Sequence, residues 1–241
     1  MTHFHRYSEL TSTNTELTRL AEAGAPHGTV VAADSQTAGR GQRGNTWESA
    51  PGCNVTMSVL IRPDSLAPRE QFAISEAVAL AVAETLDTYL PPSMRAEVKW
   101  PNDIYVGNRK ICGILIENRI SSTAIIHSIV GIGLNVNQRR FVSDAPNPVS
   151  VMQLTGHTCD IAEIEQQLAR RVLRNAEACR QCHPRYMQRL WRRHGFHLYA
   201  EPGGEPFEAR IAGVALTGHL TLERRDTTTS TYAFKEVQAV I

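Results

Sequence analysis

Cys53, Val55, Met57, Val59 and Ile61 alternate with Asn54, Thr56 and Ser58, and this run constrains the fold more than any other stretch of the chain. Such alternation puts one face of a strand into a core and the other toward polar surroundings. Arg62-Pro63-Asp64 stops the run, and the period changes at once. Between Glu70 and Tyr89, residues Ile74, Val78, Ala81, Val82, Thr85 and Tyr89 fall on one stripe of a helix that Pro91-Pro92 ends. Further strands are predicted at 96–100, 111–119 and 124–136, with Gly107-Asn108 as a hairpin turn between Val106 and Arg109. Upstream, residues 28–33 form a short β-branched run, and a polar, glycine-rich loop follows over 34–48. Residues 161–190 read as helix. After Gly195 the pattern shifts to short strands at 207–216, 219–224 and 232–240, with a turn at Pro202-Gly203-Gly204. The predicted architecture is a mixed α and β domain over 1–195 and a small β-barrel-like domain over 196–241.

Composition excludes several classes. With 241 residues, 42% hydrophobic and 20% charged, the chain is an ordinary globular protein. A formal charge of +1 provides no global field for nucleic acid or an anionic membrane. No apolar run has the length of a membrane span, and MTHFHRYSEL has no signal-peptide core, so a cytoplasmic protein is expected. Five irregularly spaced cysteines fit reduced thiols better than a disulfide framework. Cys179-Arg180-Gln181-Cys182-His183 matches a haem-attachment string, but that attachment needs an oxidising compartment; two helical thiols and a histidine are the better reading.

Three segments carry the chemistry. Gly39-Arg40-Gly41-Gln42-Arg43-Gly44 matches a dinucleotide fingerprint, yet no helix opens on its last glycine and no acidic residue stands about twenty positions on. Read instead as an anion loop, it combines exposed amides with two arginines of fixed charge; a solvated basic loop is the alternative. In Lys99-Trp100-Pro101-Asn102-Asp103, proline ends a strand and presents Asn102 and Asp103 at its tip, with Lys110 across the turn and Gly113 opening space on the next strand. An ordinary charged turn explains these residues equally well. Gly131-Ile132-Gly133-Leu134-Asn135 and Asn137 put small residues inside a strand, which marks either close approach of a ligand or a bulge.

Together, GRGQRGNTW (39–47), KWPNDIYVGNRKICGILIE (99–117) and GIGLNVN (131–137), with Ser12-Thr13-Asn14 and Gln36 before them, resemble the biotin–protein ligase family in order and spacing over roughly the first 155 residues. The resemblance implies an α+β fold: a catalytic domain like that of class II aminoacyl-tRNA synthetases, with a mixed, largely antiparallel sheet, and a small C-terminal SH3-like barrel. Position by position it implies that Ser12, Thr13, Asn14 and Gln36 hold biotin. Gly39, Arg40, Gly41, Gln42, Lys110 and Gly113 surround the carboxylate. Arg40, Arg43, Trp47 and Asn135 hold ATP or the adenylate, Trp47 packing on adenine and Asn135 reading it. Arg40, Lys110 and Asp103 are the implied catalytic groups, Asp103 facing the incoming amine.

The implied reaction consumes biotin and ATP with Mg²⁺, and the acceptor is a lysine of a biotin carboxyl carrier domain. Neither half-reaction needs an enzyme nucleophile, which suits Arg, Lys and backbone amides better than a catalytic triad. No protein ligand for a metal is predicted. The eleven residues before Ser12 are too few for a helix-turn-helix, so no nucleic-acid partner is expected; a homodimer stays open. Gln42 departs from the family loop, which has arginine there. Lipoate–protein ligases share the implied fold and chemistry, and a non-catalytic biotin-binding module is the rival from another class.

Overall fold

The computed structural model describes residues 2–143 and 146–241, and every side chain among them except that of Arg43. In chain order, β1 (His3–Leu10), α1 (Thr13–Glu22), β2 (Thr29–Gln36), β3 (Val55–Ile61), α2 (Phe72–Leu86), β4 (Ala96–Lys99), β5 (Asp103–Val106), β6 (Arg109–Ile120) and β7 (Ile125–Leu134) come first. Helices α3 (Val151–Thr155), α4 (Ile161–Glu177) and α5 (His183–Gln188) follow. Seven strands pair in the order β1-β2-β3-β7-β6-β5-β4, with β1 and β2 parallel and the other neighbours antiparallel.

The two faces of this sheet have different partners. Val55, Met57, Val59 and Ile61 of β3, Ile114 of β6 and Val130 and Ile132 of β7 share one core with α2 and α4. Ile74, Ala77, Val78, Ala81 and Val82 of α2 are fully buried, as in a helix apolar all round. Helix α4 is amphipathic, and its N-terminal amides at Ala162 and Glu163 are capped by the Asp160 carboxylate. On the opposite face α1 packs through Leu17 and Ala21 against Val31, Leu60 and Ile129. Beyond α1 that face forms the floor of a cleft.

A second sheet, in the order β11-β10-β9-β8-β12, is built from β8 (His197–Ala200), β9 (Phe207–Val214), β10 (Leu220–Arg224), β11 (Thr229–Tyr232) and β12 (Gln238–Ala239), all antiparallel. It meets the first at Trp100, whose indole N–H donates to the Gly218 carbonyl (2.9 Å) and whose ring stands edge-on to Phe234 at 6.1 Å. No helix among the described residues is long and apolar enough to cross a membrane.

Several sequence expectations need correction. The polar stretch 3–10 is strand β1, and Ser12-Thr13-Asn14 opens helix α1; an exposed edge strand hides its period because neither face is fully buried. Strand β2 runs on to Gln36, into what the sequence assigned to loop. Asp103 is not free at a strand tip but begins β5, paired with Lys99 on one side and Gly113 on the other. The helix predicted over 161–190 breaks into α4, a short 3₁₀ turn and α5. Strand 232–240 is two strands, β11 and β12, separated by a turn, and β8 was not foreseen.

Candidate active site

The site is built on one row across the open face of the first sheet. Thr56 of β3 pairs with Gly133 of β7, Gly133 with Gly113 of β6, Gly113 with Asp103 of β5, and Asp103 with Lys99 of β4. Directly opposed residues in antiparallel strands point to the same side, so two glycines form a floor with polar residues beyond it. Trp47 lies on that floor. A Cβ at Gly133 would collide with the indole, and one at Gly113 would come within 3.0 Å of it. The return strand of the loop carries Trp47 there, since Gly39 accepts from the Trp47 amide (3.0 Å) and Arg40 bridges to Thr46.

At one end of the row, the start of α1 forms a polar cluster. Gln36 Oε1 accepts from the Thr13 amide (2.7 Å) and the Thr13 hydroxyl (3.1 Å). Ser58 Oγ donates to Asn14 Oδ1 (2.6 Å), and the Asn14 amide group donates to Glu117 Oε2 (2.6 Å). Asn14 lies directly over Gly131, where a side chain would not fit. The same Glu117 oxygen pairs with the Arg40 guanidinium at 3.2 Å, so α1 and the arginine of the loop share one anchor.

At the other end, Lys110 Nζ pairs with Asp103 Oδ1 at 2.7 Å and lies 5.9 Å from the Trp47 ring centre. The segment 147–149 holds the backbone of Lys110 through both its amide and its carbonyl. Asn135 is buried; its Nδ2 donates to Val149 (3.0 Å), while its Oδ1 has no partner among the described residues. The Trp47 Nε1 is likewise buried without an acceptor there. Burial lowers the basicity of Lys99, partly opposed by Asp103, and pushes the neighbouring Tyr105 hydroxyl up to about 12.

These residues surround a cleft of about 1170 Å³, whose far wall is contributed by Tyr199 of β8 and by Phe234 and Lys235 of the turn between β11 and β12. Ser12, Thr13, Asn14, Gln36, Arg40, Gly41, Gln42, Trp47, Asp103, Lys110, Gly113 and Asn135, all singled out in the sequence, line it. Gly39 is not among its lining residues: it crosses the base of the loop, close to Trp47 and the Gln36 side chain. The Arg43 side chain lies outside the described residues. Asn102 lines the cleft but donates its amide to the Ile114 carbonyl. The sequence reading passed over Glu117 and Lys99 as individual residues, because a charge on a strand shows its value only once the strand's neighbours are known. Cys179 and Cys182 are buried and unpaired, and His183 bonds the buried Glu76 at 2.6 Å, so the haem-like string is core and helix turn.

Residues 7–135 match the model of the biotin/lipoate A/B protein ligase family, more than half of the chain. The chain belongs to this family. Among curated relatives, the bifunctional ligase/repressor BirA of Bacillus subtilis is 36% identical over 172 residues, 69% of this chain and 51% of the relative. The biotin–[acetyl-CoA-carboxylase] ligase of Paracoccus denitrificans is 35% identical over 164 residues, 66% of either protein. The chain thus spans about half the length of the Bacillus relative it matches. A solved biotin protein ligase from Aquifex aeolicus, in complex with biotin and ATP, superposes over 100% of both chains with a TM-score of 0.78 at 23% identity, a likeness of fold. The family match spans α1, the loop, the glycine floor and Lys110, which are the segments that meet in the cleft.

Proposed function

We propose that this member of the biotin/lipoate ligase family is an ATP-dependent biotin–protein ligase. The observation that carries the reading is the convergence, over one glycine floor, of two cations from separate segments, Arg40 and Lys110, with an indole and an unpartnered buried amide oxygen. Such a site suits a carboxylate and a nucleotide together. The relatives' names point to biotin as the acid.

In the first half-reaction a biotin carboxylate oxygen attacks the α-phosphorus of ATP. An O–P bond forms, the bond to the bridging oxygen breaks, and pyrophosphate leaves with the electron pair. Both reacting groups are anionic, so the chain's contribution is to neutralise and align them. In this reading Arg40 and Lys110 face the carboxylate and α-phosphate, and Gly41, Gln42 and Arg43 complete the loop. Trp47 and Asn135 take the adenine, whose exocyclic amine supplies a donor for Asn135 Oδ1. Ser12, Thr13, Asn14 and Gln36 take the ureido head of biotin.

In the second half-reaction the ε-amine of a carrier-domain lysine attacks the acyl carbon, AMP leaves, and the amine loses a proton. Asp103 Oδ1 is the carboxylate we assign to that amine, exchanging its bond with Lys110 for one with the acceptor. Of the carboxylates lining the cleft, Asp103 is paired with Lys110 and Glu48 accepts from the Val142 and Ser143 amides. Neither forms a metal cage, so Mg²⁺ fits best as an ion carried on the nucleotide's own oxygens, where it shields their charge. We read the second sheet, residues 196–241, as the SH3-like barrel of such ligases, and five free cysteines together with ATP use support a cytoplasmic setting.

Biotin-dependent exchange of pyrophosphate into ATP tests the reading, followed by mass spectrometry of a carboxyl carrier domain after incubation with chain, biotin and ATP. Exchange with biotin and a single acylated lysine are expected. Exchange supported by lipoate but not by biotin would make the chain a lipoate ligase. Biotin binding with no exchange would make it a binding module.

A further inference from the structure

Lys99 lies at the end of the row Gly133–Gly113–Asp103–Lys99, one strand beyond Asp103, on the same face as the reacting groups. It lines the cleft and is half-buried, yet it makes no ion pair among the described residues. The carboxylate opposite it, Asp103, is engaged by Lys110. The other cation that bears on it, Arg192, has no carboxylate partner among the described residues and directs its guanidinium to the carbonyls of Leu198 and Val240. On the remaining side lies the face of Tyr105, its ring centre 5.2 Å from the ammonium. This end of the cleft therefore holds more positive charge than the described residues neutralise.

The direction of the row identifies the missing anion. Biotin, in the reading above on which this inference rests, enters from the α1 end, and its carboxylate meets the α-phosphate near Lys110. Displacement at phosphorus is in line, so the leaving group departs away from the biotin oxygen. Away from α1 along the row is toward β4, where Lys99 is the cation that no carboxylate of the described residues pairs. We infer that Lys99 receives the pyrophosphate portion of ATP, binding its β- and γ-phosphates before the transfer and the free pyrophosphate after it.

This role separates the two half-reactions, because biotinyl-5′-AMP carries no pyrophosphate. The test uses the full chain and its Lys99→Gln and Lys99→Arg variants. Magnesium pyrophosphate is titrated calorimetrically, KM for pyrophosphate is measured in the exchange reaction, and biotin transfer is followed from chemically prepared biotinyl-5′-AMP to a carrier domain. Loss of one charge-assisted contact weakens binding by about ten- to a hundredfold. Lys99→Gln is expected to weaken pyrophosphate binding and raise its KM by that factor, with Lys99→Arg recovering most of it and transfer from the prepared adenylate changing less than about threefold. Equal pyrophosphate affinity in wild type and Lys99→Gln would overturn the assignment. A transfer defect as large as the exchange defect would overturn it too, placing Lys99 at the acyl-adenylate or the acceptor. Absence of exchange in the wild type would instead count against the ligase reading, while the calorimetric comparison would still decide the role of Lys99.

Discussion

A methyl group at Gly133 would run into the Trp47 indole, and one at Gly131 into the Asn14 amide. The two positions are two residues apart on one face of β7, but they support opposite ends of the cleft. Forcing a side chain into such a contact costs about 1–3 kcal/mol. Gly133→Ala is expected to raise KM for ATP more than KM for biotin, and Gly131→Ala to do the reverse, as measured by exchange kinetics at varied concentrations of each substrate. Equal effects on both constants would mean that the floor is a single undivided surface. Gln42 is the other side chain with a sharp expectation. It lines the cleft in a short 3₁₀ turn and is neutral where the resemblance to biotin–protein ligases implies an arginine. Restoring that charge as Gln42→Arg should slow release of the adenylate by about tenfold or more, the value of one charge-assisted bond. An unchanged release rate in a stopped-flow chase would show that loop closure does not depend on this position.

Strand β1 is fastened to the rest of the fold by charge as well as by its ladder. Arg6 pairs with Asp34 at 2.6 Å and with Glu165 of α4, whose side chain is only 3% exposed. Burial pushes the Glu165 carboxyl up to about 7, with Arg6 opposing the rise. Between the ordinary carboxylate range and about 7, the folded state therefore binds a proton that the unfolded chain has released. Stability contributed by the neutral form is present at low pH and is lost as pH rises through that window. Glu165→Gln keeps the shape and removes the titration, so its melting temperature relative to wild type should climb between pH 5 and pH 8. A difference that stays flat across this range in thermal melts would show that Glu165 titrates as an ordinary carboxylate. The same strand illustrates why the sequence concealed it: His3, His5, Arg6 and Glu9 carry no alternation, and only pairing with β2 makes them a strand.

The two sheets are joined where the reacting groups are. Trp100 bonds Gly218 and faces Phe234, and Gly218, at φ +92, lies so close to Phe72 of α2 that a Cβ there would have to displace the ring. Since Phe234 and Lys235 form the far wall of the cleft, this junction sets its width. Trp100→Phe removes the hydrogen bond but keeps an aromatic ring, and should cost about 1 kcal/mol. Trp100→Ala also removes the ring and should cost roughly 3 kcal/mol, lowering the melting temperature by roughly 6–12 °C for a chain of this size. In exchange assays both variants should lose affinity for ATP before affinity for biotin, because the biotin end of the cleft is walled by α1 and β3 rather than by the second sheet. Loss of biotin affinity first would contradict that division.

Read alone, the chain already specified its β3 strand, the helix after it and the three segments whose residues line the cleft. Those features depend on local period, on proline and glycine, and on the order of short motifs, all of which are properties of neighbouring residues. It also singled out Gly113, Gly131 and Gly133, but left the last two open between close approach and a bulge. What approaches them was decided only by the fold. Trp47 and Asn14 reach those glycines from 66 and more residues away in sequence. The pairing of Asp103 with Lys110, the sharing of Glu117 by Asn14 and Arg40, and the position of Lys99 at the end of a row of four strands follow from register across the sheet. Register is set by the burial of the opposite face against α2 and α4, a contact that no local pattern contains.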